Sequence, residues 1–188
     1  MSQGQTAVLQ ESPVPFAGQI DNSSQDPKIR SMLNKTGGST NAGLAVKAIS
    51  SGSGIVPGGP GGQSGTDQAG VLALTTDQIA GITVLDMQTD PDNLAGSYSF
   101  HEGVVMPVLE DGDIWVLQDF ALASAADPVY VRFAAGSGTV NVPGAFGNAA
   151  DTASCRLAAG AYWKSIGSGV AGTPALLHFS SAIDIATH

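Results

Sequence analysis

The feature that most constrains this chain is its punctuation. From residue 71 onward, short runs of β-branched and apolar residues follow one another, each closed by Gly, Pro, Asn or Asp. The runs are Val71–Leu74, Gly81–Asp86, Val104–Leu109, Ile114–Phe120, Pro128–Ala134, Thr139–Val142, Ala161–Ile166 and Ala175–Phe179, with Leu44–Ile49 before them and Ala182–Ile185 after. A spacing of roughly 8–12 residues between short strands predicts an all-β fold, a barrel or a sandwich. The Glu110-Asp-Gly-Asp113 stretch carries an Asp-Gly turn signal and predicts a hairpin between Leu109 and Ile114. In Pro128-Val-Tyr-Val-Arg-Phe133 the residues Val129, Val131 and Phe133 alternate with Tyr130 and Arg132, the period of a strand with one face buried. Helical candidates reduce to a turn at Thr76–Ala80, capped by Thr75 or Thr76, and an Ala-rich stretch at Ala121–Ala126. The latter must end before Asp127-Pro128, because the residue ahead of proline avoids the helical region.

The first 40 residues lack this period. Gln, Ser, Asn, Pro and Gly dominate, with isolated apolar residues at Val14, Phe16, Ile20, Met32 and Leu33. They are expected to form an extended N-terminal arm whose apolar residues lie over a partner surface or a second copy of the chain, the alternative being a disordered tail. Residues 41–188 are then a single β domain, interrupted at residues 52–65 by the charge-free GSGIVPGGPGGQSG, a flexible surface loop. At 188 residues the chain fits one domain, and it needs no disulfide or metal to hold a core.

Charge narrows the functions. Seven Lys and Arg face 16 Asp and Glu, giving a net charge of −9. The bases are scattered at Lys28, Arg30, Lys35, Lys47, Arg132, Arg156 and Lys164 rather than gathered along a phosphate track. Direct nucleic-acid binding and attraction to an anionic membrane are both disfavoured. The sequence opening, MSQGQTAVLQESPVPF, has neither the basic start nor the apolar run of a secretory signal. No uninterrupted apolar stretch is long enough to span a bilayer.

Motifs that carry chemistry are incomplete. His101-Glu102 begins like HExxH, but Val105 occupies the second histidine position, so the pair reads as an ordinary polar one. Gly167-Ser-Gly169-Val-Ala-Gly172 matches a dinucleotide fingerprint literally, yet Thr173-Pro174 follows where a helix should start; it reads as a hairpin loop. Asp90-Pro-Asp92-Asn93 opens like a calcium loop without its Gly or closing Glu, and Glu110–Asp113 reads as a solvated turn. There is no GxSxG, and Cys155 is the sole cysteine, expected to be a small buried hydrophobe. Trp115 and Trp163 are expected in the core, although ring stacking on a sugar would use the same residues. No catalytic residue, cofactor or metal ligand is assigned.

One ordered set of motifs carries more. Gly81-Ile-Thr-Val84, His101-Glu-Gly-Val-Val-Met-Pro-Val-Leu-Glu-Asp-Gly-Asp-Ile-Trp-Val116, Asp127-Pro-Val-Tyr-Val-Arg-Phe133, Pro143-Gly-Ala-Phe146 and Arg156-Leu-Ala-Ala-Gly-Ala-Tyr-Trp163 occur in fixed order. In these the chain resembles the head decoration, or structural cement, proteins of tailed bacteriophages. The front half is similar more weakly, through Phe16-Ala-Gly18 and Gly43-Leu-Ala-Val46. Ala126 departs from the family's usual Gly, and Gly147 and Tyr162 from its usual Arg.

The resemblance implies a small β-barrel or jelly-roll-like sandwich on the outer capsid surface of a virion, binding the major capsid protein and cementing neighbouring subunits. A homo-oligomer is expected, a trimer in preference to a dimer, with no direct contact to nucleic acid or membrane. Two other classes stay open at this level. One is a virion-surface glycan-binding module using residues 52–65 and 90–99. The other is a trimeric β-barrel nucleotide hydrolase, which would need acidic Mg²⁺ ligands and phosphate-gripping groups.

Overall fold

A computed structural model of the chain describes residues 15–22, 24, 26–49, 68–85, 99–151 and 153–181. Their elements are all strands: β1 (Lys28–Asn34), β2 (Thr40–Asn41), β3 (Ala45–Ile49), β4 (Gln68–Gly70), β5 (Gly81–Thr83), β6 (Ser99–Phe100), β7 (Val105–Leu117), β8 (Tyr130–Arg132), β9 (Phe146–Gly147), β10 (Cys155–Leu157), β11 (Ala161–Ser165) and β12 (Pro174–Ser180). The expected all-β class, barrel and sandwich together, is what the chain adopts.

Strands β1, β4, β3, β5 and β7 pair in that order, and β7 pairs back to β1, so the five close into a barrel. Met32, Val46, Ala69, Met106 and Val108 meet in one buried cluster and fill it. The segment expected to be an arm therefore supplies a barrel strand at Lys28–Asn34, with Met32 only 1% exposed. Beyond the barrel, β7 continues into β12 and β11, and a three-stranded sheet, β10-β8-β9, completes the second half. Ile114, Val116, Val129, Val131, Phe146, Trp163, Leu177 and Phe179 form its core. Ala45 and Leu109 join that same core from the barrel wall, while their chain neighbours Val46 and Val108 belong to the barrel cluster. Alternation along these strands thus serves two cores.

The hairpin expected at Glu110–Asp113 does not form. Residues 105–117 are one 13-residue strand. Leu109 pairs with both Ile29 and Ile82, and Asp111 with both Lys28 and Ser180. One edge of β7 therefore holds β1, while the other passes from β5 to β12. The register on β1 shifts between Lys28 and Ile29, and Gly112 lies at φ +141°, where glycine is favoured. The Asp-Gly pair thus marks a bulge that lets one strand change partners. A turn there would have left backbone groups on both sides without their ladders.

Other runs shift for local reasons. The strand expected at Val71–Leu74 lies earlier, at Gln68–Gly70, although Leu72 is still buried. Thr139–Val142 is a turn, with Asn141 at φ +47°. Neither helical candidate is helical. Asp77 Oδ2 accepts the Ala73 and Leu74 N–H groups at 2.7 and 2.9 Å, and Asp127 Oδ2 accepts those of Ala123 and Ser124 at 2.9 and 3.2 Å. In both places an aspartate further along the chain offers the backbone a partner that competes with a helix. The Gly167–Gly172 segment is the expected hairpin loop between β11 and β12, its three glycines at φ +56°, +70° and +82°. Residues 52–65, 90–98 and 182–185 lie outside the described residues.

Candidate functional site

The most heavily bonded charge is Arg132, which the strand period would have put on a wet face. It is fully buried. Its Nε donates to Asp119 Oδ2 at 2.7 Å, and its Nη1 to Asp151 Oδ2 at 2.9 Å and to the Ala134 carbonyl at 3.2 Å. The guanidinium lies 5.6 Å from the Phe120 ring centre. Asp119, itself 1% exposed, turns its other oxygen to the Val140 and Asn141 N–H groups at 2.9 and 2.8 Å. Asp151 receives the Ser137 N–H at 2.9 Å and its hydroxyl at 3.0 Å. One arginine so ties strand β8 to the irregular segment that follows it.

The turn at 140–144 forms one wall of a groove at the seam between the barrel and the second sheet. Thr36–Asn41 form the opposite wall; Leu44, Ala45, Val46 and Val71 form the floor, with Val142 and Pro143 across from the first wall. The groove holds about 240 Å³, and among the described residues no ionisable side chain lines it. Both walls are fixed from within. Asn34, 0% exposed, donates to the Phe100, His101 and Gly38 carbonyls, while its oxygen accepts the Thr36 N–H and hydroxyl. Outside the same loop, Glu102 accepts the Gly37 N–H at 3.0 Å and His101 Nδ1 lies 3.1 Å from Ser39 Oγ. The HExxH-like pair thus braces a loop. The second wall hangs from Asp119, and its Gly144 carbonyl accepts the Ala45 N–H at 2.9 Å.

Beside the groove the two weaker motifs of the front half meet. Phe16–Gln19 is a tight turn, with the Gln19 N–H on the Phe16 carbonyl. Gly18 sits against Ala42 and Leu85, and Gly43 against Gly18 and Ala17, so closely that neither has room for a Cβ. The turn is locked to the barrel, yet Phe16 is 49% exposed. The other expected contact residues separate. Ile20 bridges to Ile114 and packs on the main core, Met32 fills the barrel, and Leu33 is half-buried on the barrel's outside, paired with the exposed Val105. Val14 lies outside the described residues. Ile29, Leu74, Leu157 and Val170 are exposed apolar residues to which the sequence assigns no contact; each sits singly in a strand or turn, with no pattern to flag it, and Tyr162, which stands where the family usually has Arg, is exposed as well.

The acids of β7 are paired rather than solvated. Arg30 reaches Glu110 at 3.2 Å, Lys28 reaches Asp111 at 3.6 Å, and Asp113 holds Lys164 and His178 Nδ1, each at 2.7 Å. Lys35 pairs with Glu102, Lys47 with Asp77, and Arg156 donates to the Asp77 and Leu157 carbonyls. All seven Lys and Arg are thus engaged inside the chain. Among the described residues no group of three or more His, Cys, Asp or Glu is placed to hold a metal. Cys155 is half-buried, and burial pushes its thiol up, away from the thiolate. Trp163 is in the core as expected, whereas Trp115 is only half-buried.

These contacts set a pH dependence. Burial alone would raise the Asp113 and Asp77 carboxyls, but hydrogen bonds from Lys164 and His178, and from Ala73, Lys47 and Leu74, outweigh it and hold both below the usual carboxylate range. Asp127 and Asp151 are lowered chiefly by the N–H groups of Ala123 and Ser137. Carboxyls lowered in the fold stabilise it above their unfolded value of about 3.9 and lose that contribution as pH falls through their folded values. The melting temperature should therefore be level from about pH 5 upward and fall steeply below about pH 4. Asp113→Asn should flatten part of that acid limb in thermal scans; an unchanged melting temperature down to about pH 2.5 would refute the assignment.

A protein-family model described as "Structural cement protein (E217 gp24/Pam3 gp6)" matches residues 5–179. Among solved structures, a chain of "The capsid of Myoviridae Phage XM1" is similar with a TM-score of 0.58 at 18% identity, over 95% of this chain and 98% of that one. At that identity the likeness is one of fold. No curated protein matches the sequence.

Proposed function

The chain belongs to the structural cement protein family of bacteriophages, and from that premise we propose that it binds the outer surface of a tailed-phage capsid and clamps neighbouring major capsid subunits together. The family match over residues 5–179 carries the reading. The electrostatics support it. A chain of net charge −9 whose seven bases are all engaged internally has little to offer a phosphate backbone and is repelled by packaged DNA, which favours the outer face. The role is structural rather than catalytic, with no membrane contact. Phe16, presented on a locked turn, is an anchor for the capsid or a second copy, with Val14 and Ile20 near it in the chain, Leu33 on the barrel's outside beside Val105, and Met32 acting only through the barrel it fills. The protein works as a homo-oligomer, a trimer at three-fold positions, so that several weak contacts add by avidity.

Expanded capsids lacking the protein, titrated with it, should gain resistance to heat and osmotic shock in step with occupancy. No gain at saturating occupancy would overturn the reading.

A further inference from the structure

We propose that residues 135–142 form an acid-released lid over the buried Arg132, closed while Asp151 is ionised and opening, once it is protonated, without unfolding the strands around it. The inference is independent of what the protein binds.

The segment lies outside the strands, and each of its residues is exposed or half-buried. Its backbone hangs on carboxylates. Asp151 accepts the Ser137 N–H and hydroxyl, and Asp119 accepts the Val140 and Asn141 N–H groups, while the Gly136 N–H goes to Asn141 Oδ1 at 2.6 Å. The Ala135 carbonyl accepts the Ser154 hydroxyl at 2.9 Å. Gly136 lies against Asp151 Oδ2 and Arg132 Nη1, and Gly138 against the Asp119 carboxylate, so closely that neither has room for a Cβ. The lid is therefore pressed onto the same two acids that balance the guanidinium beneath it. A segment with few buried contacts, between strands that carry the core, belongs to the low end of local stability.

Arg132 supplies the driving force. It is fully buried and keeps its charge throughout, so its place in the fold depends on ionised acids facing it. The titratable groups around it are Asp119 just beyond β7, Asp151 ahead of β10, and Cys155 on β10, whose thiol burial pushes up and keeps neutral. Asp151 is held below the usual carboxylate range by the Ser137 N–H first and by Arg132 second. With the lid open, Asp151 loses the Ser137 bonds and its acidity moves back toward the ordinary value, so closure favours the carboxylate. The contribution of Asp151 to closure is complete above about pH 5. It declines as pH falls below the ordinary aspartate value of about 3.9 and through the folded one. Protonation loosens both Ser137 bonds and leaves Arg132 with one counter-charge in place of two. Lifting the lid then admits water to the guanidinium.

Hydrogen exchange of the full chain, resolved to single amides and corrected for the intrinsic pH dependence of exchange, tests this between about pH 6 and about pH 3, a span that covers the aspartate range. The Ser137, Val140 and Asn141 amides should lose about fivefold or more of their protection over that span, the scale of one hydrogen bond, while Val116 and Leu177 in β7 and β12 keep theirs. Asp151→Asn should show the acid pattern already at about pH 7 and respond little to further acid. Ser137→Ala, a change at an exposed residue, should move the loss to higher pH, because Asp151 then has less to lose on protonation. Protection that falls in parallel at Val116 and Leu177 would overturn the lid, since the whole fold would then be opening. So would an Asp151→Asn variant that keeps the parent's protection and pH dependence, or a response that only Asp119→Asn abolishes. If Asp151→Asn does not fold, Ser137→Ala decides alone, and an unmoved pH of release ends the proposal.

Discussion

Arg132→Ala is expected to be among the most destabilising single substitutions in this protein. The guanidinium is fully buried and bonded to two carboxylates, one of them 1% exposed. Removing one partner of a buried ion pair leaves the other charged, dry and uncompensated, at a cost of about 3–5 kcal/mol. For a domain of this length each kcal/mol lowers the melting temperature by about 2–4 °C, so a fall of about 6–20 °C should appear in a thermal scan. Arg132→Lys should recover only part of it. An ammonium is a point charge on a flexible stem, and it cannot hold Asp119 and Asp151 in the planar geometry that the guanidinium supplies. The double change Arg132→Met with Asp119→Asn should be milder than the sum of its parts, because no orphaned carboxylate remains at position 119. A melting temperature for Arg132→Ala within about 2 °C of the parent, less than one kcal/mol on the same scale, would show that the network is incidental.

The contrast between what could and could not be read from the sequence turns on where the partners lie. Strand character was legible because it is local: β-branched runs closed by Gly and Pro specify extended backbone whatever they pack against. The loop at Gly167–Gly172 was legible for the same reason, since Thr173-Pro174 forbids the helix that a phosphate cradle needs. Arg132 was misplaced because its burial depends on Asp119, 13 residues upstream, and Asp151, 19 downstream. A period-2 pattern reports which residues share a face, and says nothing of whether the second face is later covered. The Glu110–Asp113 stretch failed more instructively. Asp-Gly favours a glycine conformation, and both a two-residue turn and a bulge can use one. What decided between them was that β1, β5 and β12 were all available to pair with a straight-running strand. The groove was invisible for a related reason. Asn34 and its acceptor Phe100 are 66 residues apart, and nothing about a lone Asn after an apolar run announces that it will organise a wall. Family resemblance did register the pieces. Phe16-Ala-Gly18 and Gly43-Leu-Ala-Val46 were recognisable as motifs, but only the fold brings their glycines into contact.

That contact gives the second large effect, and it can be separated from ordinary glycine strain. Gly18 and Gly37 have nearly the same backbone, φ +83° and +85°. A Cβ at Gly18 would lie 2.5 Å from the Ala42 Cβ and 2.8 Å from the Leu85 nitrogen, whereas at Gly37 it would meet nothing within 4 Å. Gly37→Ala should therefore pay only the left-handed penalty of about 1–2 kcal/mol. Gly18→Ala carries the same penalty plus that of forcing a methyl into packed backbone, about 1–3 kcal/mol more. The backbone on both sides is committed, since the Gly18 N–H donates to the Trp115 carbonyl at 2.7 Å and its own carbonyl accepts the Leu85 N–H at 2.7 Å. The clash cannot relax without breaking the bonds that seat the Phe16 turn on β7. Gly18→Ala should accordingly melt several degrees below Gly37→Ala and also weaken the capsid binding proposed above, because the turn carrying Phe16 shifts with it. Equal melting temperatures for the two variants would mean that the Gly18–Gly43 contact yields easily, and that the turn is not held as rigidly as its packing implies.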